Sequence, residues 1–425
     1  MKIISNNSDY KLSVGIDIGS SKICCAIGQA NSASTKIKLL GLAITKSSGI
    51  KRGIITDRNK LIETIEKVLT DAEIMANIKV KSVYLSITGE HIRSINTQAA
   101  IALNRINGLA GNVSERSIEK ADIHQVLDLA QAVSLPVDKD ILHTIPQEYV
   151  VDNLEDIKNP LGMSGRRLEA RVHLVTAAST AINNLISCVE ELGIHVNGLV
   201  FQPVASALAA LEKDEIDLGV TLLELGSNTT NIAVYHGSAL RHSATIPIGS
   251  DSITNDIAVM LQISKKEAEK IKINYTSAKS SMSSNELEIK YHPNKEAIAR
   301  TISEQEVSEY VEARMQEILQ MIIREISRAD IKDPLTYGIV TTGGGAELRN
   351  LSSLIEKSLN VKVRMGKPNK IEGAEEIANN PKFTTVLGLL LWPVFSIDHV
   401  QLNFHNSGGI KSLFKKIRHT IEDMF

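Results

Sequence analysis

The chain has little cysteine, no dominant sign of charge and no long apolar run, and each shortage closes off a class of protein. Three cysteines, two of them adjacent at Cys24 and Cys25, make neither a disulfide framework nor a spaced metal set and point to a reducing cytoplasm. Lysine plus arginine at 47 against aspartate plus glutamate at 49 gives no bias toward nucleic acid. No uncharged apolar stretch reaches spanning length, and residues 1–11 lack the apolar block of a signal peptide. The remainder is ordinary for a globular chain: 43% apolar and 23% charged over 425 residues, long enough for two or more domains with substantial cores.

The sequence is organised around residues 14–28, VGIDIGSSKICCAIG, and an imperfect echo at 220–235, VTLLELGSNTTNIAVY. Asp17 aligns with Glu224, Gly19 with Gly226, Ser20 with Ser227 and Ala26 with Ala233. Each copy reads as strand, tight turn, strand. A β-rich run ends on a carboxylate, glycine supplies a φ > 0 turn, and small hydroxyl or amide residues fill the tip. Backbone N–H groups in such a turn converge on an anion. One copy is only a polar-tipped hairpin; two imply duplicated domains facing each other across a cleft. A third turn lies at 338–348, GIVTTGGGAEL, where an apolar strand runs into Gly343, Gly344 and Gly345. It is either an ordinary strand-to-helix loop or a platform on which a nucleoside lies flat because no side chain intrudes.

Around these turns, a further strand over 36–45 and a helix through Leu61, Ile65, Val68, Leu69 and Ala72, capped by Asp57 or Asn59, complete a βββα unit. From Val83 the texture changes to a small α+β insertion. It holds a strand through Val83, Leu85 and Ile87, a helix over 118–133, strands over 143–151 and 168–175, and a loop at 159–165. The serine-rich stretch 275–285 reads as a surface loop. Ser303 and Glu306 make a capping box ahead of a helix whose Val307, Val311, Met315, Ile318, Leu319 and Ile322 trace one face, for the core or for a partner.

Three glycine turns at these separations resemble the actin, sugar-kinase and heat-shock-chaperone superfamily of ATP-binding folds. The strings HTIPQEY at 143–149, NPLGMSG at 159–165 and LEARVHLVT at 168–176 are more discriminating, together with ALRHSATIPI at 239–248, SITNDIA at 252–258 and TVLGLLL at 385–391. They resemble the bacterial actin-like cell-division proteins of the FtsA family over about residues 14–391. The resemblance implies an α/β, actin-like fold of the duplicated ribonuclease H type. Subdomain 1A would come from 1–82 and 167–205, with 1C inserted at 83–166. Subdomains 2A and 2B would occupy 206–383, followed by a closing helix of 1A at 384–395, a linker at 396–409 and a tail helix at 410–425.

ATP with Mg²⁺ is implied in the cleft, with no enzymatic role beyond a slow ATPase and no confident catalytic residue. Asp17, Gly19, Ser20, Ser21 and Lys22 fall on the first phosphate motif, Gly226, Ser227, Asn228 and Thr229 on the second, and Gly343, Gly344, Gly345 and Ala346 on the adenosine motif. Asp17, and Glu224 through water, fall at the metal. Glu269 and Lys272 share a helix face and either reach the nucleoside or form a solvated ion pair. The family's second phosphate motif opens on aspartate, carries several glycines and closes on aspartate. Here Glu224, Ser227 with Asn228, and Asn231 stand in those places, and Gln202 holds a crossover position that is acidic in many hydrolysing members. A neutral amide is a far poorer base than a carboxylate, so hydrolysis is expected to be slow or absent.

At the carboxyl end, Ser407, Gly408 and Gly409 finish a tether. Ile410, Leu413, Phe414, Ile417, Ile421 and Phe425 then share a helical face flanked by Lys411, Lys415, Lys416 and Arg418. This is the pattern of an interfacial helix on anionic lipid; docking on its own domain is the alternative. Burying six such side chains contributes at most about 9–18 kcal/mol, and ordering each residue costs about 1–2 kcal/mol. One copy therefore binds marginally, and a self-assembled row of copies binds well.

The resemblance implies as partners the tubulin-like division protein FtsZ through 2B, later division proteins through 1C, and further copies in a filament. The place implied is the cytoplasmic face of the inner membrane at the division site. A sugar-kinase-type phosphotransferase and an actin-like pilus-assembly scaffold are competing readings of the same fold.

Overall fold

The computed structural model describes residues 10–31, 36–103, 116–295, 298–331, 334–373 and 379–395. The linker and tail helix expected over 396–425, with every residue assigned to the membrane, lie outside the described residues.

The chain opens as an antiparallel meander of β1 (Tyr10–Ile18), β2 (Lys22–Asn31) and β3 (Ile37–Lys46). Helix α1 (Arg58–Ala76) follows, with Leu61, Ile65, Val68, Leu69 and Ala72 buried at the predicted spacing. The Asp57 carboxylate caps it by accepting from the Lys60 N–H at 3.2 Å, and Asn77 closes it at φ 52°. Strand β4 (Ser82–Ile87) then joins the meander parallel to β1.

The inserted unit consists of β5 (Arg93–Ala102), α2 (Lys120–Gln131), β6 (Lys139–Val151), β7 (Leu154–Ile157) and β8 (Arg167–Ala178). Its four strands form one antiparallel sheet in the order β7-β6-β8-β5. Val126 and Leu127 of α2 pack with Leu168, Ala170, Val172 and Leu174 of β8 in a separate core. The pairing moves the limits expected for this insertion. Strand β4 belongs to the first sheet, whereas β8 pairs along its length with β5 and β6. The unit therefore runs from about 88 to 178 and not from 83 to 166, because alternation identifies a half-buried strand without saying which sheet receives it.

Helix α3 (Ser179–Glu190), strand β9 (His195–Phe201) and helix α4 (Gln202–Ala210) lead out of the first half, with β9 parallel to β4. The second half repeats the first. Strands β10 (Val220–Leu225), β11 (Thr230–His236) and β12 (Ala239–Ile246) form an antiparallel meander. Helices α5 (Ser250–Leu261) and α6 (Lys265–Tyr275) follow, and then the hairpin of β13 (Glu288–Tyr291) and β14 (Arg300–Ser303). Helix α7 (Glu304–Ser327) starts at the predicted capping box and buries Val307, Val311, Met315, Ile318, Leu319 and Ile322 in its own domain's core. The stretch expected as a surface loop after α6 is instead partly interior, with Thr276, Ser277 and Ala278 at most 1% exposed.

Strand β15 (Ile339–Thr342) joins parallel to β10. Helix α8 (Leu351–Leu359) leads to β16 (Val363–Met365) beside β15, and β17 (Ile371–Glu372) returns to the first sheet next to β3. Apolar α9 (Thr384–Phe395), the last of the described elements, packs against α4 and β1. The two central sheets thus read β9-β4-β1-β2-β3-β17 and β12-β11-β10-β15-β16.

The inserted unit leans on the free edge of the second sheet. Ser94 Oγ donates to the Ser243 carbonyl at 2.6 Å, Asn96 Nδ2 to the Arg241 carbonyl at 3.0 Å and Gln147 Nε2 to the Leu240 carbonyl at 2.7 Å. Side chains of one unit thereby occupy acceptors that an edge strand leaves open.

Candidate functional site

The two phosphate-type turns close in the same way. Asp17 lies opposite Cys24, and Glu224 opposite Asn231. The Gly19 N–H donates to the Lys22 carbonyl at 3.1 Å, and the Gly226 N–H to the Thr229 carbonyl at 2.9 Å. Neither glycine has a positive φ, which corrects the reason expected for them. A Cβ on Gly19 would lie 2.9 Å from the Lys22 oxygen, and one on Gly226 2.8 Å from the Thr229 oxygen, so glycine serves close backbone approach. The third turn does need the left-handed region, with Gly343 at φ 82° and its Cβ position 2.6 Å from the Leu225 oxygen. A Cβ on Gly344 would meet nothing within 4 Å.

These turns and α6 line one cleft of about 300 Å³ between the two halves. Residues 17 and 19–22 form one wall, with 226–229 opposite. Glu224, Glu269, Lys272 and the platform 343–345 complete the lining. Ala346 does not reach it, being buried behind the platform in a single 3₁₀ turn. The ion pair that the sequence allowed for α6 is present on the wall itself. Lys272 pairs with Glu269 at 2.7 Å and also donates to Thr254 Oγ1 at 2.8 Å and to the Ser250 carbonyl at 3.2 Å.

Sequence reasoning misses Thr88, Arg349 and Lys382, which also line the cleft. Arg349 pairs with Glu304 and donates to the Tyr275 and Thr276 carbonyls, and Lys382 sits 5.1 Å from the centre of the Phe383 ring. All three lie outside the turn motifs, and no local pattern marks them.

The floor carries two buried carboxyls. Asp17 Oδ1 accepts from Ser86 Oγ at 2.6 Å and from Gln202 Nε2 at 2.8 Å, while Oδ2 has no hydrogen-bond partner among the described residues. Glu224 Oε1 accepts from Ser206 Oγ at 3.1 Å and from Thr385 Oγ1, and Oε2 accepts from Asn231 Nδ2 at 2.9 Å. Burial pushes both carboxyls above their ordinary range, and at Glu224 the nearby Asp17 charge adds to the effect. Their hydroxyl and amide donors work the other way. The cleft thus carries two buried, hydrogen-bonded carboxyls on its floor between the two glycine turns.

Comparison with known proteins gives this architecture its relatives. A family model described as "Cell division protein FtsA" matches residues 221–388, and one described as "SHS2 domain inserted in FTSA" matches 89–176, in keeping with the limits drawn by strand pairing. The chain is 36% identical over 382 residues to the cell division protein FtsA of Pseudomonas aeruginosa, covering 90% of this chain and 89% of that one. It is 37% identical over 408 residues to that of Buchnera aphidicola, covering 93% and 94%. Two solved structures share the actin-like fold at low identity. One is a PilM–PilN type IV pilus biogenesis complex (TM-score 0.63, 16% identity, 90% and 98% covered), the other MreB5 of Spiroplasma citri bound to ADP (TM-score 0.53, 12% identity, 91% and 97% covered). The pilus likeness is one of fold alone. Identity above a third over nine-tenths of the chain, with the inserted unit in its place, shows that this chain belongs to the FtsA family of actin-like cell-division proteins.

Proposed function

We propose that this chain binds ATP with Mg²⁺ in the cleft, self-assembles, and ties FtsZ to the cytoplasmic face of the inner membrane through its tail helix. The observation that carries the nucleotide reading is the pair of identically closed glycine turns facing each other beside a bare glycine platform. The ADP named for MreB5 of Spiroplasma citri supports it. The N–H groups of the turns and Lys22 would hold phosphates, Gly343, Gly344 and Gly345 the nucleoside, and Glu269 with Lys272 its edge. Asp17, and Glu224 through water, would hold Mg²⁺. The donor set fits a hard cation: both are oxygen ligands whose ionised form burial penalises, and Asp17 keeps one oxygen uncapped. The bound ion would supply the positive charge that offsets this penalty. Gln202 is spent on Asp17 and Asn231 and presents no base to a water, which favours a clamp over a fast hydrolase.

A valine at Gly344 tests the platform. Its side chain would project into open space, so the melting temperature is expected to stay within about 2 °C, while nucleotide uptake falls tenfold or more in a fluorescence titration. Unchanged uptake removes the platform from the proposal.

Among the described residues, no helix is long and apolar enough to cross a membrane, and attachment is assigned to the tail. Sedimentation with anionic vesicles compares the full chain with one truncated after Gly409. Only the full chain is expected to pellet, and more of it with ATP. Equal pelleting of both would overturn the anchor.

A further inference from the structure

Three of the departures from the family's pattern, Gln202, Glu224 and Asn231, form one hydrogen-bonded set whose polarity is fixed at every link. Asn231 is 1% exposed and stands behind the cleft wall, not on it. Its Oδ1 accepts two hydroxyls, Thr88 Oγ1 at 2.8 Å from the root of the inserted unit and Thr245 Oγ1 at 2.9 Å from β12. Its Nδ2 donates to Gln202 Oε1 at 3.1 Å and to Glu224 Oε2 at 2.9 Å. With its oxygen engaged there, Gln202 offers its Nε2 to Asp17. The other oxygen of Glu224 takes the hydroxyls of Ser206 and Thr385.

An aspartate at 231 has the same shape and no donor. It would set acceptor against acceptor at both Gln202 and Glu224, in a volume where an unmade hydrogen bond is costly. The amide at 231 and the carboxylate at 224 are therefore complementary, and the departures compensate one another.

We propose that Asn231 is a positioning residue. From behind the wall it orients Gln202 and Glu224 for the nucleotide and ties that orientation to Thr88, where the inserted unit leaves the first sheet. The inference rests on the nucleotide reading above and names a control of that same site.

The test titrates the full chain with a fluorescent ATP analogue and Mg²⁺, with circular dichroism as the check on folding. Asn231→Asp is expected to weaken uptake tenfold or more. Adding Glu224→Gln restores an N–H donor opposite the new carboxylate, so the double variant is expected to bind more tightly than Asn231→Asp alone. A merely steric role predicts the reverse order. Wild-type affinity in Asn231→Asp, or a double variant no tighter than the single one, overturns the inference and leaves the nucleotide reading standing. A wild-type chain that takes up no nucleotide overturns both. Should Asn231→Asp fail to fold, Thr245→Val, which removes one hydroxyl donor from outside the cleft, carries the test. A two- to fivefold loss is then expected, and no loss overturns the inference.

Discussion

Gly388→Ala is expected to cost about 3 kcal/mol and to lower the melting temperature by roughly 3–4 °C. Gly388 sits inside α9 where that helix crosses α4, and a Cβ there would lie 1.9 Å from the Ala205 carbonyl oxygen and 2.5 Å from its carbon. The obstacle is backbone, so no side chain can swing aside. On the other side of α9, Gly15 of β1 is also tight, its Cβ position 2.6 Å from the Cβ of Leu389. The helix is held between the backbones of α4 and β1 and has nowhere to move. The sign is diagnostic, because Gly→Ala in an unobstructed helix stabilises by up to about 1 kcal/mol. The same two helices bring Ser206 and Thr385 to one oxygen of Glu224, so parting them is expected to weaken nucleotide uptake as well. Scanning calorimetry checks the first effect, and a midpoint within about 2 °C of wild type would contradict the close crossing.

That crossing is invisible in the sequence, which shows only an apolar run at 384–395, whereas the parts governed by local rules are legible there. The Ser303–Glu306 capping box appears where the pattern puts it, with Glu306 Oε2 accepting from the Ser303 N–H at 2.9 Å. The paired hairpins are legible for the same reason, since a strand, a glycine and a polar tip are neighbours in the chain. What glycine does at 19 and 226 is not legible, because left-handed backbone and close approach select the same residue. The serine-rich stretch after α6 misleads because composition does not reveal partners. Thr276 Oγ1 donates to the Lys272 carbonyl at 2.7 Å, and the Ser277 N–H donates to Ser308 Oγ at 3.1 Å, so these polar residues go inside. The cleft floor fails to show for a related reason. Ser86, Thr88, Ser206 and Thr385 are ordinary hydroxyl residues until the fold gathers them around Asp17, Asn231 and Glu224.

Between pH 7 and pH 5 the wild-type chain is expected to lose about 2 kcal/mol of stability more than a His173→Gln variant. His173, 1% exposed on β8, sits in the seam between the inserted unit and β12. Asn96 spends its Nδ2 on the Arg241 carbonyl, so its Oδ1 accepts from His173 Nδ1–H at 2.6 Å, and Nε2 accepts from Ser243 Oγ at 2.8 Å. Burial, reinforced by the nearby His242 and His143, pushes its pKa down to about 3. A depressed folded-state value contributes stability that is fully present above the unfolded-state value near 6.5 and is lost as pH falls toward 3. Glutamine can supply the same donor and acceptor without titrating. His143, held near 3 by burial while its Nε2 accepts the Phe201 N–H at 2.9 Å, acts in the same sense. Asp17 and Glu224, raised by burial, act in the opposite sense. All three are common to both chains and cancel in the difference. Urea midpoints at pH 7, 6 and 5 read that difference directly, and parallel pH profiles for the two chains would remove His173 from the account. Because the seam is where the proton is resisted, amide protection factors in β5 and β12 are expected to fall with acid before those in the first sheet do.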